Sequence, residues 1–460
     1  MRVRVLIRLV VVSLLLAAAI GLAWWVGAEI RAAPSRRVTL ASGVQIGVLG
    51  VTYGTNHVQP GFGRLLPDGL RALLARLLGR PGAGSYRFTT SQPELVVWLA
   101  HNSTNSAVPP SSVRVGLADE SGFLSGDYVD FTTFFNGSSG TPRRFEVWPR
   151  CSRELRIRLF EQGPSFTYHR VGEVRCPNPA RSTAPAWVAE SLPARRTNGT
   201  LVCTLSAVLA GVGMNTTTSA QADGTTHTTF SPPQADGDNH AALRLAFTDS
   251  AFPSNDWEIA AIQVADATGN SARNSSLSSS FGSGPERNYQ FRPSLWPLEP
   301  WRIEFRAARR PGSSFAAEEV AGFTNVPLPA IGFTNRYTES ALVGTTKVSV
   351  TEFSRREPLP DDARGWSSGG LSQLKLTVAN LPADARFTLV RATDDAGRRL
   401  EVPSSGWSQS EPYEATFSFL RVPADARALN LTFAVHATRR FTFVVQPALA
   451  TTNDFTPSNL

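Results

Sequence analysis

The only literal match to a catalytic motif in the sequence lies at residues 365–369. Gly365-Trp366-Ser367-Ser368-Gly369 fits the pattern G-x-S-x-G, which in α/β-hydrolases holds a nucleophilic serine on a turn between a strand and a helix. Here the motif leads into an alternating strand pattern at residues 371–378, and the one downstream histidine, His436, lies in another such pattern. We therefore predict no catalytic residues and a protein that is not an enzyme. An exported hydrolase with a dispersed site is the alternative.

Residue types that bind metals are present, but their spacing does not form a site. The histidines are scattered, with no H-E-x-x-H motif, and the cysteines contain no C-x-x-C pair. Asp236, Asp238 and His240 could offer ligands to calcium, but the glycine and glutamate of EF-hand spacing are missing. We predict neither a metal nor a cofactor, and we interpret residues 236–240 as a solvated loop.

Two of the cysteines could be covalently linked. Cys151 and Cys176 bracket a strand pattern, and a disulfide between them would suit an exported protein. Such a bond would stabilise the fold by roughly 3–4 kcal/mol in the chain-entropy model. Cys203 alternates with Leu201 and Leu205, which indicates a small buried hydrophobic residue and not a reactive thiol.

Trp366 and Trp407 form the candidate ligand surface. Both lie in segments rich in glycine and serine, where an exposed indole could stack on a sugar ring. An array of carbohydrate-binding modules is therefore a second alternative function. Burial of both rings in a core is the competing interpretation.

The amino-terminal segment has the pattern of a membrane anchor. A stretch of twenty residues without charge begins at Leu9, and as a helix it could span the roughly 30 Å hydrocarbon core of a bilayer. Basic residues precede this stretch at Arg2, Arg4 and Arg8, and aromatic residues suited to the far interface lie at Trp24 and Trp25. We predict a single-pass protein of the cell membrane, with its amino terminus inside and everything after residue 38 outside the cytoplasm.

A cleaved signal peptide is the alternative interpretation of this segment, and it would give a secreted protein. Signal peptides have shorter apolar cores, of about 7–15 residues, so the anchor is favoured. Most of the formal net charge of +8 lies in residues 1–37, which leaves the rest of the chain nearly balanced. Nucleic acid is therefore not expected as a partner. The expected partners are the membrane and an envelope protein or glycan.

Three copies of one strand pattern follow the anchor. Each copy contains an opening strand, an alternating strand, a strand that ends in Asp-x-x-Gly, an apolar segment that ends in proline, a second alternating strand and a closing strand. Aspartate and glycine suit a turn, because aspartate accepts hydrogen bonds from the backbone ahead of it and glycine tolerates positive φ. The turns lie at residues 119–122, 266–269 and 394–397, and a proline follows each turn glycine after 27, 28 and 26 residues, at Pro149, Pro297 and Pro423.

Short strands separated by turn signals, in a chain with 36 glycines, 32 prolines and 18% charged residues, predict an all-β fold. We expect three tandem immunoglobulin-like β-sandwich domains after the transmembrane helix. Their predicted ranges are 38–177 (copy one), 187–327 (copy two) and 335–448 (copy three). Residues 1–37 form the basic start and anchor, and residues 449–460 form a flexible tail.

The copies differ mainly in their insertions. Copy one contains a helical pattern at residues 64–80, with leucines on one face and arginines elsewhere. We expect this helix to cap an open end of the first sandwich, and a basic amphipathic helix on lipid is the alternative. Copy two carries polar segments at residues 215–238 and 270–287, which we predict to be mobile loops.

The Asp-x-x-Gly turns between alternating strands, together with the Trp148-Pro149 and Trp296-Pro297 corners, resemble bacterial immunoglobulin-like and fibronectin-like modules. The resemblance covers residues 44–450 and rests on this pattern, since the Cys…Trp…Cys arrangement of antibody domains is missing. A basic anchor followed by such modules is similar to membrane-anchored proteins of bacterial envelopes. The resemblance implies a noncatalytic interaction, adhesion or spacer module, and it specifies no ligand.

Overall fold

The fold is that of a computed structural model, which describes Gly21 and residues 37–450 with gaps. The gaps are residues 42, 44, 61–86, 103–111, 133–140, 164–167, 184–186, 221–225, 232–239, 254–255, 275–277, 280–285, 292–294, 358–370, 403, 408–411 and 420. The predicted anchor residues, the helical insertion at 64–80, the G-x-S-x-G segment and residues 451–460 of the predicted tail lie outside the described residues.

The described part of the chain forms twenty-eight strands and one 3-10 helix, Ala317–Glu319. In and around copy one the strands are β1 (Arg37–Thr39), β2 (Gln45–Val58), β3 (Arg87–Asn102), β4 (Ser112–Ala118), β5 (Leu124–Thr132), β6 (Thr141–Phe145), β7 (Glu154–Gln162) and β8 (Tyr168–Pro177). In copy two they are β9 (Ala194–Asn198), β10 (Leu201–Ala220), β11 (Thr226–Ser231), β12 (His240–Asp249), β13 (Trp257–Asp266), β14 (Ser271–Asn274), β15 (Ser278–Ser279), β16 (Glu286–Phe291), β17 (Trp301–Arg309) and β18 (Val320–Pro327). The remaining strands are β19 (Thr334–Arg336), β20 (Ser340–Val343), β21 (Thr346–Ser354), β22 (Ser372–Ala379), β23 (Ala385–Asp394), β24 (Ser404–Trp407), β25 (Tyr413–Phe419), β26 (Ala428–Ala437), β27 (Arg439–Val445) and β28 (Ala448–Leu449).

These strands form six sheets. Sheet 1 has the order β1-β2-β3-β6, and sheet 2 has the order β5-β4-β7-β8. Sheet 3 has the order β11-β10-β12-β16-β15, with β9 and β28 also paired to β10, and sheet 4 has the order β14-β13-β17-β27. Sheet 5 has the order β18-β26-β23, and sheet 6 has the order β19-β21-β22-β25-β24, with β20 paired to β21. The strand pairs are antiparallel except for the parallel pair of β10 with β28.

The all-β class predicted from the sequence is confirmed, and the antiparallel sheets are consistent with sandwich packing. Strand β22 shows why the pattern predicts strands: Leu374, Leu376 and Val378 are buried, whereas the residues between them are partly exposed. In the part of the chain that is described, no helix has the length and apolar character needed to cross a membrane.

The three copies repeat the same strand order. The opening strand, the first alternating strand and a third strand lie side by side as β2-β3-β6, β10-β12-β16 and β21-β22-β25. The strand that ends at the Asp-x-x-Gly turn pairs with the second alternating strand as β4-β7, β13-β17 and β23-β26. The repeat seen in the sequence is therefore also a repeat of topology.

The closing strands of copies two and three pair across the two copies. In copy one, β8 pairs with β7, the strand before it in the chain. Strand β17 pairs instead with β27, and β26 pairs with β18. The strand predicted to close copy three thus completes sheet 4, and the strand predicted to close copy two completes sheet 5. Strands within the predicted ranges 187–327 and 335–448 therefore pair with each other, and periodicity does not foresee this because it fixes which face a residue occupies and not which neighbour its strand takes.

Buried apolar side chains form two main clusters in the described residues. One cluster draws on sheets 1–4 and includes Phe441, Phe443 and Val445 of β27. The other draws on sheets 5 and 6, with Phe433 and Val348 among its members. The division into three independent domains therefore stays a prediction.

Parts of the polar segments of copy two are strands, and the prediction of loops throughout was wrong there. In segment 215–238, β10 continues to Ala220 and the chain returns as β11. In segment 270–287, β14 pairs with β13 and β15 pairs with β16. The first segment is rich in threonine, whose β-branched side chain favours an extended backbone despite its polarity.

Candidate functional site at the junctions between copies

The structure does not bring the predicted ligand residues together so far as it describes them. Trp366 lies outside the described residues, and Trp407 ends β24 at the edge of sheet 6. His436 lies in β26 and is only 1% exposed. Across the described ranges, no group of three or more His, Cys, Asp or Glu could hold a metal ion. The ligand surface of Trp366 and Trp407 stays a prediction.

The cysteines are thiols in the structure, and no disulfide joins Cys151 to Cys176. Burial, together with a hydrogen bond to Glu299, raises the pKa of the Cys151 thiol to about 12. Burial also raises the pKa of Cys203 to about 12, and Cys203 is fully buried in β10. A thiol with so high a pKa is almost entirely protonated at neutral pH and is a poor nucleophile. Cys203 is therefore the buried hydrophobic residue that its alternation with leucine predicted.

The nearest approach to a catalytic pair is His57 beside Thr52 in β2. Thr52 Oγ1 lies 3.1 Å from His57 Nδ1 and accepts a hydrogen bond of 2.9 Å from Trp98 Nε1. His57 is 1% exposed and stacks on Phe88 with ring centroids 5.0 Å apart, and its Nε2 has no hydrogen-bond partner in the described residues. Burial lowers the pKa of His57. A general base must reach its substrate and be oriented by a third group, so this pair is better explained as part of the core.

The three Asp-x-x-Gly turns have the same backbone geometry, as the sequence predicted. In each turn the glycine N–H donates to the aspartate carbonyl, at 3.0, 3.3 and 3.0 Å in chain order. The residue after the glycine donates its N–H to aspartate Oδ1, at 2.8, 3.0 and 2.8 Å. The turn glycines have φ of +89°, +94° and +78°, a region that favours glycine. The residues after the glycines are Phe123, Asn270 and Arg398.

The copies differ in what pairs with the second oxygen of the turn aspartate. Asn270 Nδ2 donates to Asp266 Oδ2 at 2.8 Å, and Arg398 Nε donates to Asp394 Oδ2 at 2.6 Å. Asp119 Oδ2 is buried without a hydrogen-bond partner in the described residues, because Phe123 brings no side-chain donor. Burial raises the pKa of Asp119.

Copies one and two contact each other through equivalent residues. Asn270, in the turn of copy two, donates from Nδ2 to the carbonyl of Trp148, in the corner of copy one, at 2.9 Å. Trp296, in the corner of copy two, likewise donates from Nε1 to the carbonyl of Phe123, in the turn of copy one, at 3.2 Å. The turn of each copy thus contacts the corner of the other copy, and copy two donates both hydrogen bonds to backbone carbonyls of copy one. We call this set of contacts the first junction.

Arg150 adds charge-assisted contacts to the first junction. Its Nε donates to Asn270 Oδ1 at 2.8 Å and its Nη1 donates to the Thr268 carbonyl at 3.3 Å, while its guanidinium lies 3.9 Å from the ring centroid of Trp148. Burial lowers the pKa of Arg150, and the nearby Asp266 carboxylate opposes that shift. Buried polar groups that satisfy one another in this way fix the orientation of the two copies, because separation leaves each of them unpaired.

The segments that connect the predicted ranges, residues 178–186 and 328–334, are bound to the fold where the structure describes them. In segment 178–186, Asn178 Nδ2 donates to the carbonyls of Pro149 and Ser152, at 3.1 and 2.9 Å. In segment 328–334, the Pro329 carbonyl accepts a hydrogen bond of 3.1 Å from Arg355 Nη1, and Arg355 is only 5% exposed. Segments held in this way do not behave as free tethers.

Strand β27 forms the second junction by filling the core of copy two. Phe441, Phe443 and Val445 are at most 2% exposed. The ring centroid of Phe305 lies 5.6 Å from that of Phe441 and 5.9 Å from that of Phe443. Such aromatic contacts contribute about 0.5–1.5 kcal/mol each beyond the burial of their area. Copy three therefore cannot leave copy two without exposing these rings.

Arg309 and His436 lie near the two points where the chain crosses between copies two and three. Arg309 Nη2 donates to Glu319 Oε1 at 2.5 Å, and its guanidinium lies 4.7 Å from the ring centroid of Phe315. The Phe315 ring lies 5.1 Å from that of His436, whose Nε2 is 3.2 Å from Thr388 Oγ1. Burial lowers the pKa of His436 to about 4, and nearby Arg309 contributes to the shift. His436 is therefore neutral near pH 7 and packs within the junction.

Comparison of the chain with protein-family models gives no match, and no curated protein matches it significantly. Function is therefore inferred from the junctions. Sequence reasoning missed Asn270 and Arg150, which build the first junction, and Arg355, which holds segment 328–334. A signal was available for the first, because the position after each turn glycine carries a different residue type in the three copies.

Proposed function

We propose that this chain is a noncatalytic, membrane-anchored spacer of the bacterial envelope. In this proposal the six sheets pair into three immunoglobulin-like sandwich modules outside the cytoplasmic membrane. The observation that carries it is that both junctions are specific: hydrogen bonds from the turn and the corner of copy two link it to copy one, and exchanged strands link copies two and three. A flexible tether between independent binding modules would need neither feature.

A spacer holds a partner at a fixed distance from the membrane, and the junctions supply the required stiffness. The partner is an envelope protein or a glycan bound on the loops or on copy three. Among the described residues, the groups that resemble catalytic ones, the buried His57 and His436 and the partly buried Cys151, support this role because their contacts stabilise the core and the junctions.

The proposal is tested by measuring how rigidly copies one and three are held. Paired spectroscopic labels are placed on genetically encoded residues at Arg175 and Lys347, which are both exposed and lie on opposite sides of the two junctions. We expect one narrow distance distribution for the full-length chain, and a broader one when Arg150→Ala and Asn270→Ala are combined. A broad distribution in the unsubstituted chain would contradict a spacer and favour flexible binding modules.

The location is tested separately by amino-terminal sequencing of the mature protein from membranes. Retention of Leu9 and Trp24 is expected for an anchor. A mature chain that begins near residue 29 or 34 would show that the segment is cleaved and the protein secreted.

A further inference from the structure

We propose that strand β27 also joins two molecules of this chain, by completing sheet 4 of a second copy. This self-association goes beyond the spacer function. The donor arm, residues 439–450, contains the closing strand of copy three, but its strand pairings in the described residues are with copy two. Strand β27 pairs with β17, β28 pairs with β10, and the Ala450 N–H donates to the Ala210 carbonyl at 2.8 Å.

The acceptor edge on β17 is specific for the donor arm. Seven residue pairs lie in register, from Trp301 opposite Val445 to Ala307 opposite Arg439. Apolar side chains enter the core at every second position of the arm, and Arg440 forms an ion pair with Glu304 on the outer face. These contacts are the same whether the arm and the edge belong to one molecule or to two.

Copy three would move as a unit, because β18 is already part of it. Strand β18 pairs with β26, and its side chains Phe323 and Val326 lie in the core of sheets 5 and 6. The connection that must open is therefore the ten-residue segment 310–319 between β17 and β18, which we call the hinge. Fully extended, ten residues reach about 33 Å, enough to carry copy three to a neighbouring molecule.

The hinge is held in its closed form by the Arg309–Glu319 ion pair and the Phe315 ring contacts described above, by ion pairs of Arg310, and by hydrogen bonds to Asp256. Ser313 Oγ donates to the Asp256 carbonyl at 2.9 Å, and the Arg310 N–H donates to the same carbonyl at 2.8 Å. Gly312 within the hinge has open space around the position of a Cβ. Opening the hinge loses these local bonds while the arm regains all its own contacts in the second molecule, which is why exchange of identical elements is a low-cost route to dimers.

The test uses two full-length chains with different affinity tags, expressed together. One carries Glu304→Cys and the other carries Thr442→Cys. These residues lie directly opposite each other on β17 and β27 and face outward, so the substitutions leave the core intact. Directly opposite positions have Cβ atoms about 4.5–5.5 Å apart, close to disulfide geometry. After mild oxidation we expect a disulfide-linked heterodimer carrying both tags.

Two controls distinguish exchange of the arm from a bond within one molecule and from random oxidation. A single chain with both substitutions reports the bond within one molecule. The second control mixes a chain that carries Glu304→Cys with a chain that carries Arg399→Cys. Arg399 is exposed and does not lie opposite Glu304 in any sheet, so disulfides in this mixture measure random oxidation. An intrachain bond in the double variant, with no more heterodimer from the mixed chains than from this control, would overturn the proposal. Ser313→Ala weakens the closed hinge and is expected to raise the fraction of heterodimer several-fold. An unchanged fraction would show that residues 310–319 are not the segment that opens.

Discussion

The side-chain amide of Asn270 donates a hydrogen bond to the backbone carbonyl of Trp148, and both residues are only 1% exposed. The same amide donates to Asp266 Oδ2 and accepts from Arg150 Nε. Asn270 thus links the turn of copy two to the corner of copy one. Because the site is buried, water cannot fully replace a lost partner, and the orientation of the two copies depends on this residue.

We expect Asn270→Ala to lower the free energy of unfolding by about 2–3 kcal/mol, because it leaves buried partners unpaired. Urea denaturation followed by tryptophan fluorescence measures the effect. Ser271→Ala, at the exposed neighbouring position, is the matched control and should change the free energy by less than about 0.5 kcal/mol. Equal midpoints for the two variants would show that Asn270 does not hold the first junction.

Asp119 should make the stability depend on pH. Burial raises its pKa above the usual value of 3.8, so the folded state binds the proton more tightly than the unfolded state does. The contribution of Asp119 to stability is therefore most favourable at low pH and is lost as the pH rises from about 4 through the raised pKa. Asp119→Asn removes this titration, so the variant should gain stability relative to the unsubstituted chain between pH 4 and pH 7, in urea titrations at each pH.

The equivalent residue of copy three is the control for this prediction. Asp394 Oδ2 accepts a hydrogen bond from Arg398, so Asp394→Asn should lower the free energy of unfolding at neutral pH. If Asp119→Asn shows the same loss at pH 7 and no relative gain with pH, the unpaired oxygen of Asp119 is not a source of instability.

Most of the local structure could be predicted from the sequence, because alternation and turn residues act over a few positions. Leu374, Leu376 and Val378 face the core as their spacing requires, and the glycines at 122, 269 and 397 adopt the positive φ that their turns need. These features depend on neighbouring residues alone.

The partners of the closing strands could not be predicted in this way. Strands β18 and β27 both have an edge that can pair with either β17 or β26, and consecutive strands usually pair with each other. What separates the two arrangements is the volume and shape of side chains such as Phe441 and Phe443, which fit beside Phe305 in three dimensions. The contacts of Asn270 and Arg355 likewise depend on the positions of distant segments.

Packing between sheets 1 and 2 should depend on Gly172. A Cβ at this position in β8 would lie 2.4 and 2.7 Å from the two methyl groups of Val38, in the first strand after the predicted anchor. We expect Gly172→Ala to lower the thermal midpoint, with a destabilisation of about 1–3 kcal/mol from overpacking. Val38→Ala removes both methyl groups, so the double variant should be more stable than the sum of the single effects predicts. If the effects of the two single substitutions on stability simply add in the double variant, Gly172 and Val38 are not in contact.

The exchange of strands predicts which sheets lose stability when a residue of β27 is substituted. Phe443→Ala deletes a fully buried ring and should cost about 3–5 kcal/mol. Because Phe443 packs on Phe305, amide hydrogen exchange should accelerate in β13 and β17 of copy two more than in β21 and β22 of copy three. Phe433→Ala is the matched control, since Phe433 lies in β26 within the core of sheets 5 and 6 and should loosen those sheets instead. Had β27 folded back on β26 as β8 does on β7, both variants would loosen copy three, so the two exchange patterns distinguish the exchanged arrangement from the hairpin.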